Sequence, residues 1–302
     1  MKFSVIIPTF NRPLDLAACL GALAQLDYPS EFEVIVVDDG GECSLESVCD
    51  AHRSALQLRL LRQPNQGPAT ARNHGASQAA GVFLAFIDDD CVPQAGWLKA
   101  LDAAADRYPD ALLGGHVTNG FPANPYSQAS QDIIDFLHNR FNGDQQHGRF
   151  FPSNNIALAA ELFREIGGFD LAFHRSASED RDLCDRWLQS GRSLVSVPDA
   201  VVKHNRAMTL RSFWKQHFLY GRGAFQYAQA RKRRGSGPVP FEGWRFHAGM
   251  ILWPRTQGGG PNAFYRSVLV LLSQVAVTIA YFCESRAQKQ QAVSTRYNLA
   301  RK

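Results

Sequence analysis

The sequence predicts an α/β fold with a mostly parallel central sheet flanked by helices. Short apolar runs typical of buried strands alternate along the chain with segments whose apolar residues recur at helical spacing. This alternation favours parallel βαβ units, in which each helix returns the chain to the start of the next strand. Three strand-like runs end in polar residues, and ligands bind at the carboxyl ends of parallel strands. We therefore expect one binding site at this edge.

The elements of the sheet follow one another regularly in the first part of the chain. Strands are predicted at Phe3–Ile7, Phe32–Val37, Leu58–Leu61, Val82–Ile87 and Ala111–Leu113. Helices are predicted at Pro13–Leu26, Ser44–His52, Pro68–Ala80 and Gly96–Arg107. In the first of these helices, leucines recur at helical spacing. The third begins with proline, where the missing N–H costs least.

The second part of the chain is less regular. Between residues 119 and 149, asparagine, proline, glycine and glutamine are frequent, which indicates a flexible loop or short helices over the site. Order returns at Phe150–Ala159 and Glu161–Ile166, followed by a helix near Arg181–Ser190 and a strand at Leu194–Val197. A long helix is expected at Leu210–Arg231, ending in the basic cluster Arg231–Arg234.

Composition and charge exclude several classes of protein. The 302 residues are 45% hydrophobic and 20% charged, an ordinary globular balance. A net charge of +4 is too small to indicate nucleic-acid binding, and we expect no nucleic-acid partner. The six cysteines form no C-x-x-C pair, which fits a reducing compartment. The apolar run at Phe3–Pro8 is too short for the core of a signal peptide, so we expect a cytoplasmic protein.

The segment Ser267–Cys283 is strongly apolar but only just long enough for a membrane span. Ser273 and Gln274 within it favour a buried or interfacial amphipathic helix over a span. With the basic cluster, this helix predicts peripheral contact with an anionic membrane surface. The alternative is a helical appendage packed on the main domain or on a second subunit, as in a homodimer.

Three consecutive aspartates, Asp88, Asp89 and Asp90, follow an apolar strand. Their mutual repulsion calls for a cation, and carboxylate oxygens suit Mn²⁺ or Mg²⁺. Alternate residues of an extended segment point the same way, which would place Asp88 and Asp90 on one side. An ion there could neutralise a diphosphate leaving group. The alternative is a solvated acidic turn at a strand end.

Four further residues carry both a functional and a structural interpretation. Asp38 and Asp39 could accept hydrogen bonds from a nucleotide base or ribose, or could form a cap or Asp-Gly turn. Arg72 could clamp phosphate oxygens, or could be an exposed arginine on a helix. His204 could complete a metal site begun by Asp90, or could be a structural histidine.

Glu179 and Asp180 open a predicted helix, a position where the helix dipole favours acidic residues. Asp180 could instead act as a general base that takes a proton from an acceptor hydroxyl. The spacing of these residues does not decide between the two interpretations.

Taken together, these segments resemble those of family 2 glycosyltransferases from Phe3 to about Tyr220. The similar segments are Ser4–Arg12, Val36–Gly40, Asn65–Gly67 with Ala71–Asn73, the DxD-like Phe86–Asp90, and Gly167–Asp170 with Glu179–Leu183. The resemblance implies the GT-A fold, with a Rossmann-like nucleotide-binding half at 1–115 and an acceptor half at 116–220. Residues 221–302 then form a C-terminal helical extension.

The resemblance also implies a role for each matching residue. The nucleotide-sugar would be bound by Pro8, Thr9, Asn11, Arg12, Asp38, Asp39, Arg72, Asp88 and Asp89. The metal ion, Mn²⁺ or Mg²⁺, would be bound by Asp90, His204 and Asp88, with Asp90 as the closest ligand. The acceptor would be bound by Asn154, Asn155 and Glu179. Asp180 would be the catalytic base of an inverting transfer.

The activity implied is sugar transfer from a nucleotide-sugar, by family habit a UDP-sugar, to a saccharide or lipid-linked acceptor in cell-surface polysaccharide or glycolipid synthesis. No Q-x-x-R-W sequence follows Asp180, which favours non-processive transfer. The alternative is a catalytically silent nucleotide-sugar-binding module of a larger complex. A nucleotidyltransferase would need a glycine- and lysine-rich loop near the first strand, and Thr9–Pro13 does not supply one.

Overall fold

The computed structural model describes residues 1–143, 148–173, 177–239, 242–257, 260 and 262–299, with side chains as far as Gln290. The chain divides into two compact units. The first comprises Met1–Pro122, Ile134–His174 and Asp180–Ala207, and the second Ala123–Ile133, Arg175–Glu179 and Met208–Lys302. The expected domain boundary at residue 220 stays a prediction, because a division by contacts assigns no function to either unit.

An eight-stranded sheet forms the centre of the first unit. Its strands are β1 (Phe3–Thr9), β2 (Phe32–Asp38), β3 (Gln57–Arg62), β4 (Phe83–Ile87), β5 (Cys91–Pro93), β6 (Leu112–Asn119), β7 (Asn155–Ala159) and β8 (Leu194–His204). Their order across the sheet is β3-β2-β1-β4-β7-β6-β8-β5. Among the described strands, four pairings are parallel and three, those of β7 and β5, are antiparallel. The prediction of a mostly parallel sheet is confirmed.

Helices cover both faces of this sheet. They are α1 (Pro13–Leu23), α2 (Glu46–Asp50), α3 (Pro68–Ser77), α4 (Trp97–Arg107), α5 (Pro125–Asn142), α6 (Ala160–Glu165) and α7 (Glu179–Gln189). Side chains alternate across each strand, so Val5 and Ile7 of β1 join the core beside α1 and α4, while Ile6 joins the core beside α3 and α6. Both faces of the central strands are therefore buried, which explains their continuous apolar runs.

The expectation of a loop or short helices between residues 119 and 149 is wrong for most of that segment. Pro125–Asn142 forms one helix of 18 residues. The Asn124 side chain accepts hydrogen bonds from the backbone N–H groups of Tyr126 and Ser127, and proline follows Asn124 at the first helical position. An Asn-Pro pair is a helix-start signal, and the polar composition of the segment concealed it.

Two strands near the predicted site do not follow from the local pattern. β5 has only three residues, yet it pairs with the end of β8 and sets Cys91 opposite His204. β8 extends well beyond the predicted Leu194–Val197, through Pro198 to His204, because its second half pairs with β6 after a break in register at Gly115. Both pairings join residues far apart in the chain, which sequence periodicity does not report.

Three helices dominate the second unit, namely α8 (Leu210–Arg234), α9 (Trp244–Thr256) and α10 (Ala263–Leu299). Gly221 of α8 lies against the α10 backbone, where a Cβ atom would collide with the carbonyl of Val277. Arg222 and Glu284 form an ion pair at 2.8 Å between the same two helices. By length and composition alone, Ala263–Gln290 could cross a membrane.

Candidate functional site

The polar residues predicted to converge do lie at one edge of the sheet. β1, β2 and β4 are parallel neighbours, and their carboxyl ends carry Thr9, Asp38 and the aspartates after Ile87. The Asp39 N–H donates to the carbonyl of Thr9 at 2.9 Å, which links the first two strand ends directly. Pro8 and Thr9 occupy the last two positions of β1, and both are buried.

Asp39 holds the loop that precedes α3. Its carboxylate accepts hydrogen bonds from the side chain of Gln63 at 2.8 Å and from the N–H groups of Gln66 and Gly67 at 2.9 and 2.8 Å. Gly67 has a φ of +88°, in the left-handed region that glycine adopts without strain. The buried Asp39 therefore shapes the start of α3, the helix that carries Arg72.

Asp38 and Asn11 stabilise the loop after β2. Asp38 accepts from the Gly41 N–H at 2.8 Å and pairs with Arg62 at 3.3 Å. The Asn11 side chain accepts from the N–H of Glu42 at 2.8 Å, and its own backbone has a φ of +56°. These contacts join the loops after β1 and β2 into one wall of the site.

Protein cations neutralise the three consecutive aspartates. Arg72 pairs with Asp88 at 2.6 Å. Arg12 pairs with Asp89 at 3.0 Å and with Asp90 at 2.9 Å. The expectation that Asp88 and Asp90 share a side assumed an extended segment, and that assumption is wrong. It is Asp89 and Asp90 that share an ion-pair partner, Arg12. The cause is local, because residues 89 and 90 form a turn closed by the Cys91 N–H to Asp88 carbonyl bond at 3.1 Å, and the alternation of an extended strand does not apply.

The two buried aspartates have opposite pKa shifts. Burial raises the pKa of Asp89 to about 6, although Arg12 opposes the rise. Burial acts in the same direction on Asp90, but the hydrogen bond and charge of His204, together with the charge of Arg12, outweigh it and lower the pKa to about 2. At neutral pH Asp90 is therefore an ionised carboxylate in a buried setting, as a metal ligand requires.

Asp90 and His204 fit a divalent cation. His204 Nε2 lies 3.2 Å from Asp90 Oδ1, and this buried oxygen has no other partner among the described residues. The Cys91 sulfur is also within 4.8 Å of both ligand atoms. Burial raises the pKa of the Cys91 thiol well above its usual range, so it stays protonated and is a poor ligand. Asp88, also predicted as a ligand, is outside this group and pairs with Arg72.

The predicted base is half-buried, and the predicted acceptor residues are buried. Asp180, in the first turn of α7, accepts the Ser153 N–H at 3.4 Å, so it lies beside the start of β7. Asn154 is buried, and its Oδ1 accepts no hydrogen bond from the described residues. Glu179 is buried at the first position of α7.

Asn155 supports the core instead of facing a site. It is 0% exposed, donates to the carbonyls of His116 and Ala200 at 3.0 and 2.8 Å, and accepts from the Trp97 indole at 2.8 Å. Its amide has these three core partners, so we leave Asn155 out of the acceptor site proposed below. β7 begins at Asn155, whereas Asn154 belongs to the turn that precedes the strand, and the two side chains differ for that reason.

Sequence reasoning missed the residues that hold the predicted ones in place. Gln63 supports Asp39 and Arg62 pairs with Asp38, and both follow β3. Phe169 lies under the Arg72 guanidinium at 5.5 Å. One signal could have found Arg62 and Gln63: the third predicted strand follows the second in a parallel sheet, so residues just after it could have been placed near Asp38 and Asp39.

Comparison with curated proteins finds relatives that are named glycosyltransferases. The chain is 28% identical over 304 residues to the pre-mycofactocin glycosyltransferase of Mycobacterium tuberculosis. The aligned region covers 97% of this chain and 61% of that protein. It is 27% identical over 227 residues to glycosyltransferase AglE of Haloferax volcanii, covering 74% of this chain and 73% of the relative. The chain thus spans less than two thirds of the first of these relatives.

Comparison with solved structures confirms the fold. The mannosyltransferase PcManGT of Pyrobaculum calidifontis, solved with GDP-Man and Mn²⁺, aligns with a TM-score of 0.67 and 19% identity over 93% of this chain and 87% of that chain. Staphylococcus aureus TarS residues 1–349, solved with UDP, aligns with a TM-score of 0.53 and 19% identity over 96% of this chain and 92% of that chain. Both are GT-A structures, as expected here.

The family profile described as Glycosyl transferase family 2 matches residues 4–167. That range is more than half of the 302 residues and contains the acidic turn and the strand ends described above. The chain belongs to glycosyltransferase family 2.

Proposed function

We propose that the protein is a metal-dependent, inverting glycosyltransferase that moves a sugar from a nucleotide-sugar to an acceptor hydroxyl. The observation that carries the proposal is the pairing of a buried, ionised Asp90 with His204 at 3.2 Å, at the sheet edge where Asp39 and Arg72 also lie. Carboxylate oxygen with imidazole nitrogen suits Mn²⁺ better than Mg²⁺, which prefers oxygen ligands. Asp90 and His204 would hold the ion, and Asp88 would remain with Arg72.

The reaction assigns a task to each group. The Asp180 carboxylate takes the proton of the acceptor hydroxyl while that oxygen attacks the anomeric carbon of the donor sugar. The bond from that carbon to the diphosphate oxygen breaks, and the electron pair leaves with the nucleoside diphosphate. Arg12 and Arg72 lie where they can stabilise the negative charge that develops on the diphosphate. A divalent ion held by Asp90 and His204 would supply further neutralisation of the charge on the diphosphate.

The donor and acceptor are proposed by class. The relatives solved with UDP or GDP-Man support a nucleotide-sugar, and we propose UDP as the nucleotide. The acceptor is a saccharide or lipid-linked saccharide of cell-surface polysaccharide or glycolipid synthesis, and transfer is non-processive. The alternative is a silent nucleotide-sugar-binding module, and the presence of Asp180 beside Ser153 favours the enzyme.

Thermal shift tests donor and metal together. We expect UDP-glucose, UDP-GlcNAc or another nucleotide-sugar to raise the Tm, and to raise it further with Mn²⁺, because a ligand that binds only the folded state stabilises it. At a hundred times its dissociation constant a ligand adds about 2.7 kcal/mol to the free energy of unfolding, a shift of a few degrees. UMP with Mn²⁺ is the control, since it lacks the diphosphate. Absence of a metal-dependent shift with every donor would contradict the proposal.

We also propose that the second unit contacts an anionic membrane surface from the cytoplasmic side. One face of α10 packs against its neighbours through Leu269, Val270, Ala276 and Ala280. The opposite face is exposed and apolar along its length, with Phe264, Val268, Leu271, Val275, Ile279 and Phe282 at spacings of three and four. This stripe is about 27 Å long at 1.5 Å per residue. A helix with one face packed in the protein suits an interfacial position better than a span.

Basic residues gather at one end of this stripe. α8 and α10 run in the same direction, since Gly221 contacts Val277 and Phe225 contacts Tyr281. The last turn of α8, with its basic residues Arg231–Arg234, is therefore close to the part of α10 that follows Phe282. Arg286 and Lys289 are exposed in that part. Cations beside an apolar stripe match anionic headgroups above acyl chains.

Vesicle flotation tests this face. The wild-type protein should float with vesicles of 70% phosphatidylcholine and 30% phosphatidylglycerol, and the variant Leu271→Asp/Ile279→Asp should bind at least tenfold more weakly, because two charges would enter the apolar boundary. Leu14→Asp, a change at an even more exposed leucine on α1 of the other unit, should bind normally. If the double variant instead converts a dimer to a monomer and vesicle binding is absent throughout, the stripe is a subunit interface and the proposal is wrong.

A further inference from the structure

Two histidines and a phenylalanine pack together near the start of β7. The rings of His116 on β6 and His138 on α5 meet edge to face, with centroids 6.0 Å apart. The His138 ring also contacts the buried Phe151, at 6.3 Å between centroids. Phe151 in turn lies against Gly114, where any side chain would overlap its ring. The position of His138 is thus set by ring packing on two sides.

This cluster adjoins the strand ends of the candidate site. β7 is antiparallel to β4, with Asn155 opposite Ile87, so Asn154 lies level with the start of the acidic turn. On its other side β7 pairs with β6, and the Asn155 side chain donates to the His116 carbonyl at 3.0 Å. The segment from Phe151 to Asn154 therefore runs between the two histidines and the acidic turn.

Two polar atoms here are buried and have no hydrogen-bond partner among the described residues. Asn154 is 8% exposed, and its Oδ1 accepts no hydrogen bond from the residues that the structure describes. His138 Nε2 is also buried and has no hydrogen-bond partner within the same described part of the chain. Leaving such an atom unsatisfied is costly, and native proteins rarely do so without a reason. Two of them beside one short segment indicate a position for a polar ligand.

The chemistry of these atoms suits an uncharged hydroxyl-bearing ligand. Burial, and then the neighbouring His116, lower the pKa of His138, so the imidazole is neutral at pH 7. A neutral imidazole offers one donor and one acceptor, and the amide of Asn154 offers both functions as well. A sugar hydroxyl both donates and accepts, whereas a phosphate requires donors only.

We propose that His138 and Asn154, supported by His116 and Phe151, form a subsite that binds hydroxyl groups of the acceptor saccharide and that His138 determines acceptor specificity. The proposal rests on the function proposed above, in which Asp180 is the base. The Ser153 N–H donates to Asp180, and Asn154 of the subsite is the next residue in the chain after Ser153. A sugar held there would present a neighbouring hydroxyl to the Asp180 carboxylate.

Ligand-observed NMR tests the subsite without knowledge of the natural acceptor. The probes are methyl glycosides of glucose, galactose, mannose and N-acetylglucosamine, measured by saturation transfer in the presence of UDP and Mn²⁺. At least one should bind the wild-type protein. His138→Phe keeps the ring packing and removes both nitrogens, so it should weaken that binding about three- to tenfold, the equivalent of one neutral hydrogen bond. His138→Gln, which retains a donor and an acceptor, should restore part of the loss.

Controls separate this result from a loss of folding or of donor binding. His52→Gln changes a histidine of α2 whose Nδ1 contacts the Val48 carbonyl, and should leave saccharide binding unchanged. The donor-induced rise in Tm should be the same in wild type and His138→Phe. If the donor shift is present but no glycoside binds wild type, or if His138→Phe binds as tightly as wild type, the subsite is wrong and the proposed donor function stands. If the donor shift itself is absent, the proposed function fails first.

Discussion

Replacing Asp180 with asparagine is expected to reduce the rate of sugar transfer by about 10²–10⁴-fold, the range that general-base catalysis contributes. The amide has nearly the same shape as the carboxylate but does not accept a proton at neutral pH. Asp180 lies at the start of α7 and accepts from the Ser153 N–H, whereas the residues proposed to contact the diphosphate are Arg12 and Arg72, which pair with the acidic turn. Donor binding should therefore survive, and the loss should appear in kcat.

The control for this variant lies on the same helix. Asp185→Asn removes a carboxylate that contacts Gln189 at 2.8 Å within α7, so it reports any general effect of charge loss from that helix. We expect Asp185→Asn to retain near wild-type transfer, and both variants to keep the nucleotide-sugar shift in Tm. Near wild-type transfer by Asp180→Asn would show that another group takes the proton. Loss of the donor shift in that variant would show that Asp180 supports the donor side.

Asp90→Asn is expected to abolish high-affinity Mn²⁺ binding and to lower transfer by about 10²–10³-fold. Charge neutralisation by a metal ion contributes several kcal/mol, and each 1.36 kcal/mol corresponds to a factor of ten in rate. Asparagine keeps the size of the side chain but removes the charge that attracts the cation. Electron paramagnetic resonance of free Mn²⁺ measures the binding directly, without reference to activity.

A second ligand variant and a surface control complete this experiment. His204→Asn should weaken Mn²⁺ binding as well, because His204 Nε2 is 3.2 Å from Asp90 Oδ1. Asp106→Asn alters a largely exposed carboxylate that pairs with Lys2, and should bind Mn²⁺ as wild type does. Unchanged Mn²⁺ affinity in both Asp90→Asn and His204→Asn would mean that the ion, if bound, sits elsewhere. That result would leave the two residues as a structural ion pair.

Local patterns predicted most of the sheet because strands that are buried on both faces consist mainly of apolar residues. The strands that begin at Phe3, Phe32 and Phe83 are mainly apolar, and the helices between them begin at Pro13 and Pro68 as expected. The polar residues that follow β1, β2 and β4 were expected at one edge, and they lie there. Chain geometry alone carries this inference, since parallel neighbours bring their carboxyl ends together.

The errors have identifiable physical causes. α5 was missed because its start signal at Asn124 and Pro125 lay in a polar segment without a strong apolar stripe. Asp88 and Asp90 were assigned to one side by the rule for extended strands, but residues 89 and 90 form a turn. Asn155 was grouped with Asn154, although Asn154 lies in a turn, while Asn155 begins β7 and faces Trp97 in the core.

The sequence by itself determined the fold class, the family and the identity of the acidic and basic residues at the strand ends. Only the tertiary structure decided which charges meet: Arg12 pairs with Asp89 across 77 positions, and His204 approaches Asp90 because β5 pairs with the end of β8. The physical reason is the separation along the chain of the residues that interact. Burial and helix periodicity act on neighbours within a few residues and leave a pattern there, whereas a charge pair depends on strand order and register, which no local pattern encodes.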